Sequence, residues 1–504
     1  MKASRGRDKV HHTRLLLFAG AAFLNLFPLF FFSYFPTADG PAHVYNAKLV
    51  RQYFLDENPL AREIYAPNPV PVPNWLGHAM MAAAMSFVSP LTAEKLLIAI
   101  YVVALPFAFR YAIRGVARET HGLEFIIFSA IYNSHLHWGF YNFLYSLVLY
   151  LVLIGYWLRR RPLQKVTEIL TVALLALLLY FSNPVGLVQI LVALAVLLAT
   201  NVLIEWRSGR IHWYEAWKHW TRVAIAFLPA LSLYAYYSLF RLNRGKDAAE
   251  WPSFRYAAST LLTFDSIRSF DPAEKLIALG LVLMILMLLV LAIKSKPQSV
   301  RPADSPGLLI LAVATAGLVF VLPVSANGGT MITPRLVYFP LFSLVLWLAS
   351  RSWPKFVPGW FPITVGLGAA LALHVLHLPM YREYQPLMQD LMSARSHLRA
   401  DLPLRFGCIR PGFPQVRDPE TGEHPISPAA GAYLAAELNL VAVSNYEAST
   451  DHFPFVFGRS AEERPEQVLL WVRGRSDQLR DQPGQLMAKS ANWRLYDFSL
   501  ARLR

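Results

Sequence analysis

The sequence predicts an all-α polytopic membrane bundle of about eleven transmembrane helices, followed by a small α/β or α+β soluble C-terminal domain. Three observations predict it. First, 55% of the 504 residues are hydrophobic and only 16% are charged, with a mean hydropathy of +0.37, which excludes an ordinary water-soluble enzyme. Second, the apolar residues gather in uncharged runs such as 15–35, 139–158, 185–204 and 276–293, each close to the roughly 20 residues that cross a bilayer. Third, the net charge of +15 lies wholly in the first 380 residues, because 381–504 hold 15 Lys+Arg against 15 Asp+Glu.

That charge asymmetry is topology and not nucleic-acid binding. The basic residues sit in short loops between apolar runs: Arg159, Arg160, Arg161 and Lys165, then Arg207, Arg210, Lys218 and Arg222, then Lys294, Lys296 and Arg301. Cytoplasmic loops retain Lys and Arg in this way, and their partners are phospholipid headgroups. No nucleic acid is expected. The one cysteine, Cys408, allows no internal disulfide, and no Asn-x-Ser/Thr acceptor is present. Both fit a bacterial inner membrane.

In chain order, a basic N-terminus precedes the 21-residue run 15–35, which is longer than a signal-peptide core and lacks an Ala-x-Ala exit. It reads as a signal anchor with its N-terminus in the cytoplasm. Further crossings fall near 96–113, 140–158, 166–182, 185–205, 223–240, 274–293, 307–323, 336–350 and 359–380. Two segments, 75–90 and 123–135, compete for one more. Exactly one of them crosses, since an odd total keeps every basic loop on one side. The charges of Arg110, Arg114 and Arg118 favour 123–135.

Long outer loops are expected at 36–74 and from Arg241 to about Pro272. In the first, Val44, Leu49, Val50, Tyr53 and Phe54 alternate with Lys48, Arg51 and Gln52 at helical spacing, which predicts an interfacial helix over 42–55 lying on the outer leaflet. Pro67, Pro69, Pro71 and Pro73 make a stiff return. The transmembrane domain is therefore 1–380, and 381–504 form the extracytoplasmic soluble domain, with helices over 383–400 and 429–438 and strands over 404–409, 441–444, 468–472 and 493–498.

Ionisable groups near the membrane are costly, roughly 2.5–3.5 kcal/mol at its centre, so those near outer span ends are candidate site residues. Asp39 lies in Pro36-Thr37-Ala38-Asp39-Gly40-Pro41-Ala42-His43, just after the first run. It can be a helix cap or a carboxylate placed where a lipid-borne and a water-borne reactant meet. Arg335 ends the loop that begins at Ser325 and enters the next span, where it can grip phosphate through its planar fork or snorkel from a helix end. Arg241, Arg244 and Lys246 form a second basic cluster, read as a headgroup contact.

A cytoplasmic N-terminus, one span, an acidic residue opening a long outer loop, a dense bundle and a soluble outer domain together resemble the GT-C superfamily of integral-membrane glycosyltransferases. The resemblance implies transfer of a sugar from a polyprenyl-phosphate carrier, with Asp39 at the position of the first-loop carboxylate. Gly40 follows Asp39, and Thr37 gives no Asp-x-Asp, so the paired acidic motif of several GT-C families is absent. A divalent metal is thus unsupported, no cofactor is assigned, and a single-base inverting transfer is expected.

Around that base, His43 and Arg335 are expected to bind the donor phosphate, and His135, His137, Trp138, Tyr141 and Asn142 to line a cavity for sugar hydroxyls. His43 can equally be an interfacial side chain, and the 133–142 cluster can equally pack between spans. The expected partners are the bilayer, a polyprenyl-phosphate-linked sugar and a glycan, lipid or protein acceptor. A transporter or lipid flippase, or a non-catalytic envelope-assembly protein, is the alternative from a different class. No nucleotide-binding glycine loop or His-Glu-x-x-His supports either nucleotide-driven transport or zinc proteolysis.

Overall fold

The computed structural model describes residues 2–242, 249–298, 301, 304–326, 329–353, 357–409, 413–418, 422–426, 428–450, 453–458, 466–472 and 484–498, and of these the side chains of 2–11, 213, 241–242, 409 and 422–423 are excepted. Arg244 and Lys246, with Asn327 and Gly328 of the loop before Arg335, lie outside the described residues, as does the Arg241 side chain.

Among the described residues, nine helices are long and apolar enough to cross a membrane: His12–Phe31, Pro90–Val116, Tyr141–Arg160, Pro184–Arg207, Tyr214–Phe240, Glu274–Ile293, Asp304–Val321, Ile332–Ala349 and Trp360–His397. A shorter apolar helix, Val166–Ser182, packs against Tyr141–Arg160, Pro184–Arg207 and the helix Trp213–Leu242.

An eleventh passage is not an α-helix. Leu123–Ala130 forms a 3-10 helix whose eight residues are all buried. It starts at Gly122, whose φ of +81° suits glycine and where a Cβ would lie 2.4 Å from the Gly359 carbonyl oxygen. Beyond residue 133 the chain reaches His137, whose carbonyl accepts from the Ala38 amide at the other end of the bundle. At about 2 Å per residue the 3-10 helix itself covers only about 16 Å, and the residues that follow it, with the short helix Ser134–Trp138, carry the chain the rest of the way. Irregular backbone at this depth is tolerated because protein encloses it. The competing segment folds at the Ala38 end as Leu76–Ala84, a nine-residue helix of about 14 Å, too short to cross.

Several expectations are corrected. The first-loop helix, Gly40–Phe54, does form, but Ala42 to Ala47 are all buried, because the helix is covered by Leu76–Ala84, Pro90–Val116 and Gly431–Glu437 of the C-terminal region. A run buried on every side cannot lie on a lipid surface. The boundary at 380/381 falls within one continuous helix, Trp360–Ser393, which passes through Pro379 and Pro386. Residues 441–444 form no strand; Ala442 makes a single parallel bridge to Leu404.

In the C-terminal region a four-stranded sheet runs in the order Leu404–Ile409, Gln467–Val472, Trp493–Asp497, Gln485–Lys489. The first pair is parallel, with Leu404 opposite Gln467, and the other two are antiparallel. A hairpin, Gln415–Asp418 with Gly422–Pro425, and a small sheet between Tyr65–Pro67 and Phe455–Phe457 complete it. The sheet between Tyr65–Pro67 and Phe455–Phe457 joins the first loop to the C-terminal region, and one apolar core runs from the bundle into that region.

The two ends of the bundle differ in charge. At the end away from Ala38, Arg159 stacks on Tyr111 at 3.8 Å and Arg161 pairs with the buried Asp304. The Ala38 end carries the cluster described next.

Candidate functional site

The first loop is fixed by main-chain bonds. Ala38 and Asp39 donate their amides to the carbonyls of His137 and Trp138 at 2.9 and 3.0 Å. This contact requires glycine at 139: its φ is +85°, and a Cβ there would lie 2.6 Å from the Gly40 nitrogen. Asp39 then precedes the helix Gly40–Phe54, which has Pro41 in its first turn, yet the Asp39 side chain makes no capping hydrogen bond. The carboxyl instead accepts from the Tyr446 hydroxyl and lies within reach of the charges of His43 and Glu447.

Asp39 and Arg335 line one cavity of about 490 Å³. Arg335 reaches it from the short helix Ile332–Leu336, and its guanidinium lies 4.3 Å over the Phe140 ring and 5.6 Å from Phe143. Such stacking supports a planar cation. Tyr234, Tyr237, Val188 and Leu322 add apolar wall, and Asn74, Asn183 and Gln189 add amides.

Burial pushes the Asp39 carboxyl up from its ordinary 3.8 to about 6. The His43 imidazole opposes the rise, the Glu447 carboxylate adds to it, and the Tyr446 hydrogen bond and the Arg335 charge oppose it more weakly. A carboxyl that ionises near 6 is a stronger proton acceptor than an ordinary one and is still charged at neutral pH.

His43 also lines the cavity. Its Nδ1 lies 2.9 Å from Nε2 of His78 and 3.2 Å from Glu447. Burial depresses the His43 pKa, and the neighbouring Glu447, with Asp39 and Glu94, more than reverses that, leaving it above its usual value. His78 is driven the other way, to about 3, by burial and then by the charge of His43.

Of the five residues expected along the cavity, only Asn142 faces it, and its amide is engaged: Oδ1 accepts from Gly77 at 2.6 Å, and Nδ2 donates to the Asn74 carbonyl at 2.7 Å. The other four are held elsewhere by packing. His135 is fully buried against Tyr338 at 3.2 Å. His137 meets Ser269 and Tyr381, both at 2.8 Å. Trp138 donates to the Arg417 carbonyl at 2.9 Å and lies on His424. Tyr141 donates to the buried Glu94 at 2.6 Å, which also accepts from Tyr433 at 2.7 Å. Each serves to brace the wall that carries Asp39.

Residues the sequence reading missed are His78, Glu94, Tyr446 and Glu447. His78 could have been found as a lone ionisable group in an apolar run, and Glu94 as half of the Glu94-Lys95 pair that opens one. Nothing near Tyr446 and Glu447 in sequence distinguishes them from ordinary turn residues.

No family model matches the chain, and no curated protein matches it in sequence. Among solved structures, ArnT from Cupriavidus metallidurans bound to undecaprenyl phosphate is similar at 12% identity and a TM-score of 0.50, over 96% of this chain and 98% of that one. The apo state of the same protein is similar at 10% identity and a TM-score of 0.50, over 97% and 98%. The likeness extends over the bundle and the C-terminal region together, so this chain has the fold of those ArnT structures, and nine of its described helices are long and apolar enough to cross a membrane.

Proposed function

We propose that the protein is a membrane glycosyltransferase that takes a sugar from a polyprenyl-phosphate carrier and passes it to an acceptor hydroxyl at the outer face of a bacterial inner membrane. The observation that carries this reading is that Asp39 and Arg335 line one cavity. The similarity in fold to a protein captured with undecaprenyl phosphate supports the choice of carrier.

Asp39 acts as general base. Its carboxylate accepts the proton of the acceptor hydroxyl as that oxygen bonds to the anomeric carbon, and the bond from that carbon to the phosphate oxygen breaks on the opposite face. The leaving polyprenyl phosphate gains negative charge, which the Arg335 guanidinium stabilises. The cavity gathers both reactants, so that much of the entropic cost of their meeting falls on binding. The sugar is inverted.

A transporter would place its site near the bilayer midplane between repeats, whereas this cavity lies at one end beneath Tyr446 and Glu447 of the C-terminal region. The test is to reconstitute the purified chain in lipid nanodiscs with a panel of undecaprenyl-phosphate-linked sugars. Release of undecaprenyl phosphate that requires both Asp39 and Arg335 is expected. Absence of release across the panel, with no binding of undecaprenyl phosphate, would overturn the assignment.

A further inference from the structure

His43, His78 and Glu447 come from three separate segments: the first-loop helix Gly40–Phe54, the helix Leu76–Ala84 and the 3-10 turn Tyr446–Ser449. One nitrogen from each imidazole and the Glu447 carboxylate all lie within 4.8 Å of one another. The separations are 2.9 Å between His43 Nδ1 and His78 Nε2, 3.2 Å from His43 Nδ1 to Glu447 Oε1, and 3.8 Å from His78 Nε2 to Glu447 Oε2.

Hydrogen bonding serves this triangle poorly. His43 Nδ1 carries at most one proton, yet it has two close neighbours, His78 Nε2 and a carboxylate oxygen. One N–H cannot be well aimed at both. His78 is 2% exposed, and its Nδ1 has no hydrogen-bond partner. Two imidazoles and a carboxylate packed so closely and so far from water call for a shared positive charge at their centre.

The spacing fits one. With metal–nitrogen and metal–oxygen bonds of about 2.0–2.2 Å, the edge of a tetrahedral site is roughly 3.3–3.6 Å. The three separations, which use both Glu447 oxygens, bracket that length, so side-chain movements that bring one carboxylate oxygen to both imidazoles meet it. The donor set, two histidines and one glutamate, is of a type found in zinc sites that keep a fourth position for water or substrate. Asn46 donates to Glu447 at 2.5 Å and orients the carboxylate, as outer partners do for metal ligands.

We propose that His43, His78 and Glu447 bind one divalent zinc-class cation, with the fourth position open to the cavity that Asp39 and Arg335 line. His43 and Glu447 themselves face that cavity, which gives the open position its direction. The cation would pin the Tyr446–Ser449 turn to the first-loop helix and present a positive charge to an anionic or hydroxyl-bearing ligand. The site rests on the donor geometry alone and stands apart from the sugar-transfer reading. It also revises the expectation drawn from the missing paired acidic motif, because these ligands are nitrogen-rich and drawn from distant segments.

The experiment uses the full chain in detergent, stripped with a chelator, dialysed, and titrated with Zn²⁺ alone and with Co²⁺ alone. One equivalent of Zn²⁺ is expected, with the visible absorption of four-coordinate Co²⁺ and a rise in melting temperature. His78→Ala and, as a shape-conserving control, Glu447→Gln should each weaken Zn²⁺ binding by more than the roughly 10–100-fold cost of losing an outer partner. Their apo melting temperatures should stay near that of the apo wild type. Asp39→Asn should keep the Zn²⁺ affinity within about tenfold, a smaller loss than either ligand variant shows. Absence of stoichiometric binding, or the same affinity in wild type and both ligand variants, overturns the site. Zinc binding by a chain that transfers no sugar would remove the transferase and leave the site; transfer by a chain that binds no zinc would do the reverse.

Discussion

The Asp39 amide donates to the Trp138 carbonyl at 3.0 Å, so main chain and not side chain fixes the position of the first-loop carboxylate. With no capping bond to make, the carboxyl meets Tyr446 and the cavity instead. Substituting it should therefore cost function and spare the fold.

Asp39→Asn is the sharpest case. It keeps shape and removes the proton acceptor, so sugar transfer should fall at least about 100-fold. The folded carboxyl holds its proton to about pH 6, against an ordinary 3.8. A raised carboxyl pKa means the ionised group opposes folding above that window and is neutral below it. The variant should thus melt at or above the wild-type temperature at pH 7. Full activity would remove Asp39 from catalysis, and a large drop in melting temperature would return it to a structural role.

The same shift sets a pH limb. Transfer should be level above about pH 7 and fall about tenfold per unit below about pH 6, as Asp39 takes up a proton. A profile that is flat from pH 4.5 to pH 7 would show that a different group accepts the proton.

Arg335 tests the carrier contact. Arg335→Ala should weaken binding of undecaprenyl phosphate by about 1.5–3 kcal/mol, the worth of a hydrogen bond to a charged group. Arg335→Lys should recover only part of this, since it keeps charge but loses the fork and the stacking on Phe140. Equal affinity in all three proteins, measured by titration, would leave Arg335 as a helix-end cation.

Gly139→Ala should act at a distance. Alanine at φ +85° with its Cβ 2.6 Å from the Gly40 nitrogen costs at least about 1–2 kcal/mol from backbone conformation alone. The strap to Ala38 and Asp39 must also give way. We expect a lower melting temperature together with a loss of transfer larger than the instability explains, seen when both are measured on the same preparation.

Orientation follows from charge. Arg159 and Arg161 lie at the end of the bundle away from Asp39, and such clusters stay in the cytoplasm. Alkaline phosphatase fused after residue 400 should be active in a bacterial host. An inactive fusion beside an active cytoplasmic reporter at the same position would reverse the topology and put Asp39 on the inner side.

The sequence by itself determined the membrane class, most of the crossings, and the strands over 404–409, 468–472 and 493–498. Each rests on composition or periodicity along a single segment, which the bilayer or one sheet face imposes locally. It also singled out Asp39, His43 and Arg335, because a charged group beside a long apolar run is rare enough to stand out. Only the tertiary structure decided that 123–130 is a 3-10 helix buried within the bundle and that Gly40–Phe54 is roofed by Gly431–Glu437. It alone brought Glu447 onto His43 and His78, and it turned His135, His137, Trp138 and Tyr141 into braces for the wall. The reason is physical: hydropathy records how much of a segment avoids water, but it does not record which distant segment does the covering. Contacts such as Glu447 with His43 arise when the C-terminal region docks on the first loop, and no local pattern carries that information.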